Sequence, residues 1–118
     1  MNVLKEKSFQ FALEIINLYK QRSGDKKEFV LSKQLLRSGT AVGALVREAN
    51  NAESKMDFIH KLAIAQKECD ETLYWFELLF QSNYLEKDTF ELLTKYGSEI
   101  LLIIKSSIRT VKKKLGKL

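Results

Sequence analysis

The segment Leu31–Ala49, LSKQLLRSGTAVGALVREA, is apolar along one helical line and mostly polar or small elsewhere. Leu31, Leu35, Ser38, Val42, Leu45 and Ala49 recur at steps of three and four. At about 100° per residue they fall within about 40° of one line. This periodicity predicts an amphipathic helix from about Glu28 to Asn50. Gly39 and Gly43 lie one turn apart inside it, each costing about 1 kcal/mol relative to alanine. Such a pair is expected where a neighbouring helix comes close. A phosphate-cradling loop is excluded by context, because the glycines do not lie between a strand and a helix.

Outward from this segment the same spacing recurs. Before it, Phe9, Leu13, Ile16 and Lys20, joined by Ala12 and Tyr19, mark the expected inward face of a helix from about Val3 to Gln21. Ser23-Gly24-Asp25 reads as its stop. After it, Asn50-Asn51 makes a turn, and Ser54-Lys55-Met56-Asp57 predicts a capping box for a third helix reaching about Phe80. Phe58, Leu62, Ala65, Cys69, Leu73 and Phe76 form that helix's core line. Asp57, Lys61, Ile64, Glu68 and Trp75 form a second flank, on which Asp57, Lys61 and Glu68 are expected to make an ion-pair network. Gln81-Ser82-Asn83 breaks the pattern. A fourth helix follows from about Glu86 to Lys114 on the stripe Leu93, Gly97, Ile100, Ile104, Ser107 and Val111. Four helices with short connections predict an all-α, antiparallel up-down-up-down four-helix bundle, a single domain over residues 1–118.

Composition agrees with this reading and narrows the function. The 118 residues are 45% hydrophobic and 30% charged, a globular balance, with no proline and five glycines. The one cysteine, Cys69, excludes an internal disulfide framework and suits a reducing cytoplasm. No secretory signal is visible at the N-terminus, and no apolar run approaches the roughly 20 residues of a membrane span. Net charge is +5, yet Lys105, Arg109, Lys112, Lys113, Lys114 and Lys117 place six positive charges after residue 104 with no acid among them. The rest of the chain has 14 basic and 15 acidic residues. The basicity therefore belongs to the C-terminal end.

The inventory for catalysis is thin. His60 is the sole histidine, so the paired Glu-x-x-His arrangement that builds metal sites in bundles is out of reach, even though Asp57 stands three residues before it. Cys69 lies on the core line and is expected to be a packing residue, whereas a nucleophile needs an exposed, electropositive setting. The chain is expected to be no enzyme and to need no cofactor or metal.

Two helices carry more apolar surface than one bundle needs. Leu101, Leu102, Ile103 and Ile104 point around the whole circumference of the fourth helix, and Ile64 and Trp75 stand off the core line of the third. Contiguous exposed apolar surface marks interfaces, so Ile64, Trp75, Leu101, Leu102 and Ile103 are expected to join copies of the chain.

The runs Gln34–Ala49, Ala52–Glu68 and Glu71–Trp75, with Arg47-Glu48-Ala49, Ser54-Lys55-Met56-Asp57-Phe58 and Lys67-Glu68 in this order, resemble a bacterial family. It is the four-helix-bundle family of proteins encoded in 23S rRNA intervening sequences, related to the accessory variability determinant of diversity-generating retroelements. The resemblance implies a ring-forming bundle, a homopentamer, without known catalytic activity. It also raises a reverse transcriptase as a partner. One departure stands out: the family's Gly-Ala-Asn-Ile-x-Glu reads here Gly43-Ala44-Leu45-Val46-Arg47-Glu48, with leucine in the asparagine position. A buried amide needs hydrogen-bond partners, and leucine replaces that need with packing.

Alternating helix directions bring one set of helix ends to a common pole. Lys5, Lys7, Arg47, Lys55, Arg109, Lys112, Lys113 and Lys114 should converge there, with Lys105, Arg109 and Lys112 sharing a stripe. Lysines in a last helical turn also complement the helix dipole and keep a chain soluble, which is the blander account. The sharper one is binding of the RNA or DNA backbone by an oligomer, tolerant of sequence because no aromatic platform or base-reading motif accompanies the patch. The alternative is a protein-interaction scaffold that docks a partner such as a reverse transcriptase without touching nucleic acid.

Overall fold

The computed structural model describes residues 2–25 and 28–117, with the side chains of 22–25 left aside. Four helices follow in order: α1 (Val3–Asp25), α2 (Val30–Asn50), α3 (Lys55–Gln81) and α4 (Lys87–Lys114). They form an antiparallel up-down-up-down bundle with extents of 50 × 24 × 21 Å. Each helix packs closely on its sequence neighbour, and α1 meets α4 along a much looser seam.

Helix α2 buries the predicted line at Leu35, Ser38, Val42 and Ala49, with Leu31 and Leu45 half-buried at its edge. Leu45, at the asparagine position of the resemblance, packs against the core. Val46 joins the line fully buried. Both glycines do what their spacing predicts. A Cβ on Gly39 would strike the Ile15 side chain of α1, and one on Gly43 would stand 3.2 Å from the Ser8 carbonyl oxygen. Their absence of side chains lets α1 lie against α2.

Helix α1 corrects the expectation twice. Its inward face is Leu4, Ser8, Phe11, Ile15 and Leu18, while Phe9 and Leu13 are exposed at 47% and 39%. The helix carries two apolar lines, and shape complementarity chooses between them. Ile15 and Ser8 meet the glycine notches of α2, and Phe11 packs edge-on against Phe76 at 6.1 Å. The predicted stop at Ser23-Gly24-Asp25 is instead the last turn of α1, since glycine permits a left-handed cap without compelling one.

The other boundaries follow local chemistry. Ser54 caps α3, its Oγ accepting from the Asp57 N–H at 3.0 Å. The Asp57 carboxylate reaches back to the Glu53 N–H at 3.3 Å rather than to Ser54, a shifted form of the predicted box. At the other end Asn83, with φ of 68°, takes the left-handed conformation that ends α3, and Tyr84 N–H closes on the Leu79 carbonyl at 2.8 Å. Helix α4 buries Leu93, Gly97, Ile100 and Ile104 as predicted, adds Ile108, and leaves Ser107 and Val111 half-buried. Gly97 admits Leu73 and Phe11 against the α4 backbone, and Cys69 Sγ donates to its carbonyl at 3.4 Å.

Among the described residues, the Thr94 hydroxyl is buried without a hydrogen-bond partner, whereas the polar groups between α2 and α3 are paired. The hydroxyls of Ser38 and Thr72 bond each other across α2 and α3 at 2.9 Å, and Thr72 donates to the Glu68 carbonyl at 2.8 Å. The flank ion pairs run between helices rather than along α3. Lys61 meets Glu48 at 3.6 Å, and Arg37 holds both Glu68 and Glu71. A cross-helix partner fixes the bundle's register, and Asp57, already spent at the cap, is no longer free for Lys61.

Candidate nucleic-acid interface

The basic pole is built by four helix ends. Two chains of contact show them meeting. Lys5 and Phe9 of α1 share a depression with Arg47 of α2, together with Asn2 and Glu6. Lys55 and Phe58 of α3 line another with Ala49 and Asn50 of α2, Ala52 and Ser54 of the loop, and Val111 of α4. Lys105, Arg109 and Lys112 line a third with Gln66 and Ile108, on the side of α4 that faces α3.

The last turn of α4 has a defined end. Gly116 adopts φ of 70°, its N–H bonds the Lys113 carbonyl at 3.0 Å, and Lys117 N–H bonds the Lys112 carbonyl at 2.9 Å. This paired closure is the Schellman arrangement, which satisfies carbonyls that would otherwise face solvent unpaired. It fixes the backbone that carries Lys112, Lys113 and Lys114.

Among the described residues, Lys5, Arg47, Lys55, Lys105, Arg109, Lys112, Lys113 and Lys114 have no carboxylate partner. Lys7 differs. It pairs with Glu99 at 3.8 Å and lies 5.8 Å from the Tyr96 ring centroid, on the α1–α4 seam. Eight of the nine predicted cations thus stand unneutralised by an ion pair, and Lys7 is drawn aside.

One aromatic side chain at this pole was hidden from the sequence reading, which placed Phe9 in the core. Its ring is open to solvent with the Arg47 guanidinium 5.3 Å from its centroid. The signal that could have found it was the second apolar line on α1.

The predicted oligomer surface is unevenly exposed. Leu102 is 68% exposed on α4, whereas Leu101 and Ile103 are half-buried against the core. Ile64 is half-buried. Trp75 packs on the core and donates its indole N–H to Glu71 at 2.9 Å, beside the Tyr74 ring at 5.2 Å. That indole bond, opposed by partial desolvation and seconded by Arg37, holds the Glu71 carboxyl below its ordinary value.

His60 is exposed and Cys69 fully buried, its thiol pushed up to about 12 by burial and then by the Asp70 charge. Among the described residues no three His, Cys, Asp or Glu side chains gather as a metal site, and no helix is long and apolar enough to cross a membrane.

The chain is similar to known proteins in both sequence and structure. The family model described as 23S rRNA-intervening sequence protein matches residues 2–106. A solved structure from Bacteroides thetaiotaomicron VPI-5482, described as a protein with unknown function from the S23 ribosomal protein family, is 49% identical with a TM-score of 0.90. The match covers 92% of this chain and 96% of that one. No curated protein matches.

Proposed function

This chain belongs to the 23S rRNA-intervening sequence protein family, and we propose that it is a cytoplasmic, non-catalytic homo-oligomer that binds nucleic acid through its basic pole. The observation that carries the reading is the set of unpaired cations at one end of the bundle, densest on the last turns of α4. A polyanion that displaces counterions from such a surface gains affinity without any base being read. Among the described residues, Lys105, Arg109 and Lys112–Lys114 have no ion-pair partner that would fix their side chains for reading one base pair against another. Binding is therefore tolerant of sequence. The exposed Leu102 and the resemblance to ring-forming bundles support assembly with copies of itself, as a pentamer. Repetition around a ring would multiply the potential of each pole.

The test is anisotropy of labelled RNA and DNA at about 50 to 200 mM salt, where each phosphate contact contributes close to one unit of log–log slope. Affinity should fall steeply with salt and collapse on joint replacement of Lys112, Lys113 and Lys114 by glutamate, with the helical signal retained. Binding indifferent to both changes overturns the reading. Co-purification of a reverse transcriptase or another protein, with free nucleic acid ignored, favours a scaffold instead. Sedimentation of the native chain and of Leu102→Glu reads the assembly.

A further inference from the structure

We propose that Phe9, flanked by Lys5 and Arg47, is a stacking platform for an unpaired nucleobase, so that the pole prefers single strands to duplex; this rests on the nucleic-acid reading above. The site is a depression of about 290 Å³ lined by Asn2, Lys5, Glu6, Phe9 and Arg47. Phe9 forms its apolar wall, with its ring about half exposed. The guanidinium of Arg47 lies over that ring, 5.3 Å from the centroid, so a base would stack by displacing it from the ring or by lying on the guanidinium plane itself. Guanidinium planes and phenyl rings are also the two side-chain surfaces on which splayed-out bases stack.

The charges select the ligand. Lys5 and Arg47 have no carboxylate partner among the described residues and can meet phosphates on either side of a stacked base. Glu6, in the lining of the depression, repels a phosphate placed there but accepts a hydrogen bond from an exocyclic amine. Asn2 is already engaged, its side-chain oxygen accepting the Lys5 backbone N–H at 3.0 Å. The depression therefore suits a base with its phosphates outside. Duplex bases keep their faces stacked on each other, so only a single strand can use it.

The alternative occupant of this line on α1 is a second copy of the chain, covering Phe9 together with Leu13. The two occupants part on one experiment. Affinities for a labelled single-stranded oligonucleotide and for a duplex of equal length are measured for the native chain, Phe9→Ala, Phe9→Leu and Phe9→Trp, with sedimentation of each. Phe9→Leu keeps apolar bulk and discards the ring, so a folding defect is separated from a stacking defect. Loss of one stacked base is worth roughly 5- to 150-fold. Phe9→Ala and Phe9→Leu should lose that much for the single strand while duplex affinity stays within about twofold, and Phe9→Trp should retain the preference. Equal losses on both ligands, an unchanged ratio, or a shift in oligomeric state overturn the platform. If the native chain binds duplex in a salt-dependent way and the ratio ignores Phe9, the platform alone fails. If the native chain binds neither ligand, the nucleic-acid reading fails with it.

Discussion

Ile15 of α1 occupies the space that Gly39 of α2 leaves open, its side-chain carbons standing where a Cβ at position 39 would be. Ile15 is fully buried and cannot swing away into solvent. Gly39→Ala would gain about 1 kcal/mol of helix propensity and meet an overpacking cost of about 1–3 kcal/mol. A net loss is expected in urea unfolding. Ile15→Val alone should cost about 1 kcal/mol, and it removes the very methyl that collides. The double variant should therefore be more stable than the two single losses added together. Strict additivity would show that the notch and the isoleucine are unrelated.

How much of this was legible beforehand differs from helix to helix. On α2 one apolar line stands out, and on α4 the stripe through Leu93, Ile100 and Ile104 persists despite apolar neighbours on other faces, so periodicity names Leu35, Val42, Ile100 and Ile104 as core. On α1 two lines compete, and periodicity has no means of ranking Phe9 and Leu13 against Phe11 and Ile15. The glycines of α2 decide, and their partner is invisible until the helices are docked. The pole itself was legible because alternating direction dictates which ends meet. The behaviour of Lys7 was not, since Glu99 and Tyr96 reach it from ninety residues away in the chain. Phe9 lies on the line that periodicity assigns to the core, so its exposure beside Arg47 is not legible in the sequence.

Glu28 gives the fold an acid-sensitive joint. Its carboxylate accepts from the N–H groups of Leu31 and Ser32, both at 2.9 Å, and from the Ser32 hydroxyl at 2.8 Å, so it caps α2 from just outside the helix. Burial opposes the charge, but these bonds and one from Val30 outweigh it and lower the carboxyl below its ordinary value of 4.5. A depressed folded value means that the stabilisation is whole above the unfolded value and is lost as pH falls through the folded one. Glu28→Gln should cost about 1 kcal/mol at neutral pH and progressively less in acid, as pH falls below the ordinary carboxylate range. Chemical denaturation at neutral and at acidic pH checks the sign, and a gap that widens in acid would refute the assignment.

Cys69 should be inert while the bundle is closed. Its thiol is buried against Gly97 and pushed up to about 12, so almost no thiolate forms near neutrality. Iodoacetamide at mildly alkaline pH should label the native chain only slowly, and label it fully in denaturant. Rapid labelling of the folded protein would mean that the α3–α4 contact opens far more often than its packing implies.

Gly116 closes α4 at a φ that an L side chain resists, with open space where a Cβ would stand. Gly116→Ala therefore tests backbone conformation alone, at a cost of about 1 kcal/mol borne by the last turn. Amide exchange should quicken at Lys112–Lys117 while the core of the bundle is unaffected. Faster exchange throughout would mean that the closure supports more than its own turn.

The loose seam between α1 and α4 has a kinetic meaning. Every tight helix pairing here joins neighbours in the chain, and the one pairing that spans the whole sequence contributes least. The entropy of closing a long loop is thus spent last, for the smallest return. Assembly can proceed hairpin by hairpin, with α2 and α3 as the natural nucleus and the terminal helices condensing onto it. The order of events runs backwards on opening, so a terminal helix, α1 or α4, should be the first to leave, while α2 and α3 stay paired longest.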